Sequence, residues 1–184
     1  MNLPNKLTLL RVCLIPVFLL LYPASVLGDP ISRYAALGVF IAASLTDALD
    51  GYIARSQNLI TNFGKLMDPM ADKLLVAAAM IAMVQTGALP SWVVIIIISR
   101  EFLITGFRML ALERGIVIAA SSWGKYKTIS QIAMILLILL DFTDFIPNVI
   151  VWVVIYAATV LTVISAVDYI LKNKGVMTEE VSEK

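Results

Sequence analysis

The sequence of 184 residues has no histidine and a single cysteine, and only 15% of it is charged. Without histidine, the commonest general base, schemes built on Ser-His or Cys-His pairs and on histidine-ligated zinc are excluded. Cys13 alone can form neither an intramolecular disulfide nor a CxxC site, and no histidine is present to activate its thiolate. Carboxylates, lysine, arginine, tyrosine and hydroxyls remain as the available chemistry. What the chain has in abundance is apolar surface. Hydrophobic residues make up 60% of it, against about 45–50% in ordinary soluble domains, and mean hydropathy is +0.93. An integral membrane protein is expected. With a formal net charge of +1, the placement of charge carries the information.

Charge-free runs cover 12–28, 34–46, 74–99, 128–140 and 145–167. A membrane-spanning helix needs about 20 mostly apolar residues. The run at 74–99 contains the turn signal Gln85-Thr86-Gly87-Ala88-Leu89-Pro90 and divides there. The two shorter runs must extend into polar flanks. Six helices follow, near 6–23, 32–55, 63–86, 90–112, 122–141 and 147–171, in an all-α membrane domain covering 1–184 with a polar tail at 172–184. Three of the six carry charges within a span.

With six spans both termini share a side. Lys6, Arg11, Arg55, Lys65, Arg114, Lys125, Lys127, Lys172, Lys174 and Lys184 fall on it, while the opposite loops hold Arg33 with Asp29, Asp141 and Asp144. The positive-inside rule makes the first side cytoplasmic. A cleaved signal peptide is not expected, because Arg11 interrupts the apolar stretch and no A-x-A site follows. Trp92, Trp123 and Trp152 lie near expected helix ends, as an interfacial aromatic belt requires.

The stretch from Asp47 to Lys73 reads DALDGYIARSQNLITNFGKLMDPMADK. Asp47 and Asp50 are i, i+3 on one helix, and Asp68 and Asp72 are i, i+4 on the next, so each pair shares a face. A short loop places the pairs opposite each other at the cytoplasmic interface. At an effective dielectric of about 20, two like charges about 4 Å apart repel by roughly 4 kcal/mol. Arg55 and Lys73 cannot offset four acids. An all-oxygen site selects hard ions, Mg²⁺ first, with Mn²⁺ or Ca²⁺ also possible. Four carboxylates suit two ions about 3.5–4 Å apart, an arrangement used in phosphoryl chemistry. The plainer alternative has the acids solvating a helical hairpin by pairing with Arg55, Lys65 and Lys73. Gly51, which lowers helix propensity, suggests a close approach to the backbone.

The pattern Asp47-x2-Asp50-Gly51-x2-Ala54-Arg55-x8-Gly64-x3-Asp68-x3-Asp72 resembles the signature of the CDP-alcohol phosphotransferase family at all eight positions. The six-helix plan agrees with that family along essentially the whole chain. The resemblance implies that Asp47, Asp50 and Asp68, with Asp72 in some members, bind divalent metal at the diphosphate of a CDP-linked donor. It makes Asp72 the general base for the acceptor hydroxyl, which attacks the β-phosphorus and expels CMP. It also gives Gly51, Ala54, Arg55 and Gly64 to the donor, with Asn5, Thr8 and Arg11 of the first helix contributing. A homodimer in the cell membrane is implied as well.

A second polar set comprises Arg100, Glu101, Thr105, Arg108, Arg114, Lys125 and Lys127. Charges inside a span mark a substrate site by default, and a cluster of bases suits an anionic acceptor such as a phosphate. The alternatives are that Glu101 pairs with an arginine and only ties helices together, or that the bases attract anionic lipid. The stretches SREFLITGFRMLALERG, WGKYKT and MNLPNKLTLLRVCLIPVF resemble the bacterial phosphatidylglycerophosphate synthase branch of the family. That resemblance implies CDP-diacylglycerol as donor and glycerol 3-phosphate as acceptor, the acceptor phosphate being held by Arg100, Arg108, Lys125 and Lys127. Inositol phosphate, serine or phosphatidylglycerol as acceptor stays open at this point. A cation transporter using the acidic cluster is the competing class, although transporters place such sites near the midplane and often show inverted repeats. No nucleic-acid partner is expected.

Overall fold

The computed structural model describes residues 3–24, 26–56, 62–113, 118, 122–140 and 148–173, and within these the side chains of 3–5, 47–56, 62–69 and 113 lie outside the description. The described residues form six α-helices: α1 (Leu3–Leu21), α2 (Ile31–Ser56), α3 (Asn62–Gln85), α4 (Ser91–Glu113), α5 (Ser122–Leu140) and α6 (Asn148–Lys172). Every helix end falls within three residues of its expected position. Within the one membrane domain expected, two compact units are distinguished: Met1–Val94 with Ile135–Phe142, and Ile95–Met134 with Thr143–Lys184. The division falls inside α4 and α5.

In the first unit α1 packs on both α2 and α3, and α2 also touches α3. Ala36, Phe40 and Ala43 recur along one face of α2 at helical spacing, and all three are buried. The two alanines let α1 approach, and Phe18 of α1 tilts against Phe40 with ring centroids 6.2 Å apart. Phe18 also stacks on Tyr22 at 5.8 Å. The Tyr22 hydroxyl shares a 3.2 Å hydrogen bond with Thr86 Oγ1 and so ties the end of α1 to the end of α3.

The break inside the long apolar run is a helix C-cap. Gly87 adopts φ +74°, its N–H donates to the Val84 carbonyl at 3.1 Å, and Ala88 N–H donates to the Met83 carbonyl at 2.9 Å. This pair of bonds is the Schellman arrangement, in which a left-handed residue satisfies carbonyls that the ended helix would orphan. Glycine adopts that conformation without a Cβ penalty.

In the second unit Ile97, Ile104 and Ala111 are buried at intervals of seven along α4, with Met134 of α5 and Ile155 and Ala158 of α6 also buried. A buried polar contact crosses it: Gln131 Nε2 donates to Thr162 Oγ1 at 3.1 Å, while the Thr162 hydroxyl donates to the Ala158 carbonyl at 2.7 Å.

Among the described residues α6 is the one helix long and apolar enough to cross a membrane by length and composition. The apolar part of α2, Ile31–Thr46, is shorter. In α4 the reason is chemical, because Arg100, Glu101 and Arg108 interrupt an otherwise apolar helix.

Candidate active site

The four aspartates belong to α2 and α3, helices that touch and are joined by only five residues. Asp50 lies six residues before Ser56, the end of α2, and Asp68 lies six residues after Asn62, the start of α3. At about 1.5 Å of rise per residue both stand about 9 Å along the axis from the connection. Asp47 and Asp72 stand a further three and four residues away. An antiparallel hairpin therefore sets the two pairs at matching levels. The side chains of Asp47, Asp50, Gly51, Ala54, Arg55, Gly64 and Asp68 lie outside the described residues, as does that of Asn5. Asp72 is described, and it is half-buried beside half-buried Lys73. In the chemistry of its donors, oxygen from aspartates without nitrogen or sulfur, this set suits a hard divalent ion.

Thr8 and Arg11, one turn apart on α1, are both buried, Arg11 completely. Arg11 Nε donates to the Ala43 carbonyl of α2 at 3.3 Å. Thr46 Oγ1 donates to the same carbonyl at 2.6 Å. Ala43 precedes Asp47 by one helical turn, so a fully buried guanidinium pins α1 to α2 one turn from the first carboxylate. Taking a charge out of water costs several kcal/mol.

In the second unit the basic set separates. Arg100 and Lys127 converge on Glu101: Lys127 Nζ donates to Oε1, and Arg100 Nη1 lies 3.3 Å from the same oxygen. Side-chain exposures of 12%, 17% and 5% for Arg100, Glu101 and Lys127 put all three largely out of solvent. Their summed charge is one positive. Arg108 is elsewhere, exposed, with its guanidinium 6.0 Å from the centre of the Tyr169 ring and a 3.4 Å bond to the Ile118 carbonyl. Lys125 is exposed whereas Lys127 is buried, because residues two apart on a helix point about 200° from each other. The structure thus brings Arg100 and Lys127 together and leaves Arg108 and Lys125 outside that cluster. Arg114 lies outside the described residues.

Sequence reasoning missed the contribution of α6. Arg100 Nη2 donates to Ser165 Oγ at 2.6 Å, and Ser165 is fully buried. Thr159, Thr162, Ser165 and Tyr169 recur every three or four residues along α6 and are all buried. That stripe of hydroxyls in the most apolar helix is the signal that marks its inward face.

Residues 1–164 match the model of the CDP-alcohol phosphatidyltransferase family. The chain belongs to this family. It is similar to a Bacillus subtilis (strain 168) protein named CDP-diacylglycerol–glycerol-3-phosphate 3-phosphatidyltransferase, 44% identical across 94% of this chain and 95% of that one. A Mycobacterium tuberculosis (strain H37Rv) protein named probable phosphatidylglycerophosphate synthase is 41% identical across 93% of this chain and 81% of its own length. A Haemophilus influenzae protein with the same name as the Bacillus one is 34% identical across 98% and 97%. Membership in the CDP-alcohol phosphatidyltransferase family gives the aspartate pattern of α2 and α3 a chemical context.

Proposed function

We propose that this chain is a phosphatidylglycerophosphate synthase: it transfers a phosphatidyl group from CDP-diacylglycerol to glycerol 3-phosphate, releasing CMP, in phospholipid biosynthesis. The observation that carries the acceptor is the buried pair of cations, Arg100 and Lys127, on the single carboxylate of Glu101. It occurs in a chain whose relatives are named for glycerol 3-phosphate. A buried excess of one positive charge favours an anionic ligand over serine, which carries no net charge.

Asp47, Asp50, Asp68 and Asp72 would hold Mg²⁺ or Mn²⁺, two ions in this reading. When bound, such ions stabilise charge on phosphoryl oxygens and on the departing nucleotide. Asp72 accepts the proton of the acceptor hydroxyl as that oxygen bonds to the β-phosphorus. The bond from this phosphorus to the CMP oxygen breaks, and CMP leaves with the electron pair. A carboxylate within hydrogen-bond reach serves as the base where histidine is absent. Gly51, Ala54, Arg55 and Gly64 would serve the donor, with Asn5, Thr8 and Arg11 contributing. Arg100 and Lys127 hold the acceptor phosphate, Arg108 borders its approach, and Lys125 adds to the local field.

The enzyme is read as multi-pass in the cell membrane, six helices with both termini and the site cytoplasmic, and as a homodimer. Support for the membrane reading lies in large apolar side chains exposed on every helix, such as Leu20, Leu45, Ile81, Phe102, Ile129 and Val153, beyond what a soluble monomer tolerates. Trp92, Trp123 and Trp152, near helix starts, are also exposed, as an interfacial belt requires.

Purified protein in detergent with Mg²⁺, CDP-diacylglycerol and a panel of acceptors tests the reading by CMP release. Release with glycerol 3-phosphate is expected. Absence of CMP with every acceptor would overturn the enzyme, and release with inositol phosphate alone would overturn the acceptor.

A further inference from the structure

We infer that Ser165 of α6 is a positioning residue for the acceptor, acting through Arg100; this rests on the reading of Arg100 as a ligand of the acceptor phosphate. Arginine carries five N–H donors in a rigid plane, and a phosphate is recognised well only when that plane is aimed. Here the plane is held at two of its corners. Nη1 faces Glu101 Oε1 at 3.3 Å, and Nη2 donates to Ser165 Oγ at 2.6 Å. Glu101 is in turn gripped by Lys127 of α5, so groups from α4, α5 and α6 fix one guanidinium.

The third corner is different. Arg100 Nε is buried and has no hydrogen-bond partner among the described residues. A buried N–H without an acceptor is costly, and it belongs to a charged group whose other two nitrogens are engaged. An anionic oxygen arriving at Nε would complete the set. Ser165 has no charge and touches the acceptor only through Arg100. Its contribution is to spare the guanidinium the freedom to turn away, which appears as affinity for the acceptor rather than as the rate of phosphoryl transfer.

The test is steady-state CMP release by the full chain in detergent with Mg²⁺, varying glycerol 3-phosphate at saturating CDP-diacylglycerol. Ser165→Val and Ser165→Thr give side chains of the same branched shape and heavy-atom count, but only threonine keeps the hydroxyl. The Val variant should raise KM for glycerol 3-phosphate about five- to ten-fold, the scale of one ordinary net hydrogen bond, because the bond acts on the acceptor only through Arg100. Its kcat should stay within about two-fold and its KM for CDP-diacylglycerol should not change. The Thr variant should recover most of the lost affinity. If Val does not fold, Ser165→Ala against Ser165→Thr makes the same comparison. Arg100→Gln is the control arm, expected to raise the same KM more than Val does. Equal behaviour of Val and Thr with a responsive Arg100→Gln would overturn the positioning role alone. An unchanged KM in Arg100→Gln would overturn the acceptor reading and this inference with it.

Discussion

Two cations share one carboxylate oxygen in the second unit, and the consequences for single residues follow from charge. Glu101 is the group that lets Arg100 and Lys127 approach each other. Replace it by neutral glutamine and two buried cations face each other with nothing between them; like charges about 4 Å apart repel by roughly 4 kcal/mol at an effective dielectric of 20. Glu101→Gln should therefore lower the unfolding temperature in detergent, with a loss of about 3 kcal/mol typical of a broken buried pair. Adding Lys127→Met should recover a large part of that loss, because the double variant has one cation and no clash. Additive losses in the two variants would show that the three groups do not act as a unit. The prediction for Asp72 concerns chemistry instead. Asp72→Asn keeps the size of the side chain and removes its basicity, so CMP release should fall by about 10²–10⁴, while binding of the nucleotide lipid, followed by its protection against thermal unfolding, persists.

At the scale of elements, glycine has opposite meanings at two places. Gly87 sits at φ +74° in the cap of α3, whereas Gly38 lies inside α2, and neither would have a new Cβ crowded within 4 Å. Only the backbone decides. Gly87→Ala forces a left-handed residue and should cost about 1–2 kcal/mol, while Gly38→Ala should gain about 0.5–1 kcal/mol from restricted unfolded-chain freedom. Thermal unfolding of the two variants side by side should give shifts of opposite sign. The helices themselves, and this cap, were legible in sequence because apolar runs of the right length end at a Thr-Gly signal or at charge. The two helices carrying the aspartates were legible for the same reason, while the side chains of Asp47, Asp50 and Asp68 lie outside the described residues.

The side of α5 that turns inward was not legible. Lys125 and Lys127 differ by two positions and look alike, and it is the helical phase that exposes one and buries the other. Ser165 was hidden for another reason. Thr159 and Thr162 satisfy their hydroxyls on their own helix, at the carbonyls of Ile155 and Ala158, so a hydroxyl in an apolar helix does not announce a distant partner. The partner of Ser165 is 65 residues away, on α4.

For the whole molecule, the absence of histidine leads to a sharp expectation about metal. No nitrogen ligand competes with the aspartates, and carboxylates bind Mg²⁺ reversibly through oxygen alone. EDTA should abolish CMP release, Mg²⁺ or Mn²⁺ in excess should restore it, and a low concentration of Zn²⁺ should not replace them. Persistence of activity in chelator would remove the metal from the mechanism. Orientation is the remaining property of the whole chain, and its single cysteine makes it measurable. The basic residues assigned to one side outnumber those on the other by far, so the proposed orientation predicts Lys172 in the cytoplasm and Asp29 outside. In a Cys13→Ser background, a cysteine at Asp29 should react in intact cells with a membrane-impermeant thiol reagent. A cysteine at Lys172 should react only after the membrane is opened. The reverse pattern would invert the topology, and with it the compartment from which glycerol 3-phosphate reaches Arg100. Labelling of both positions in intact cells would mean an even number of crossings between them, and one of the helices α2 to α6 would then lie in or beside the membrane rather than across it.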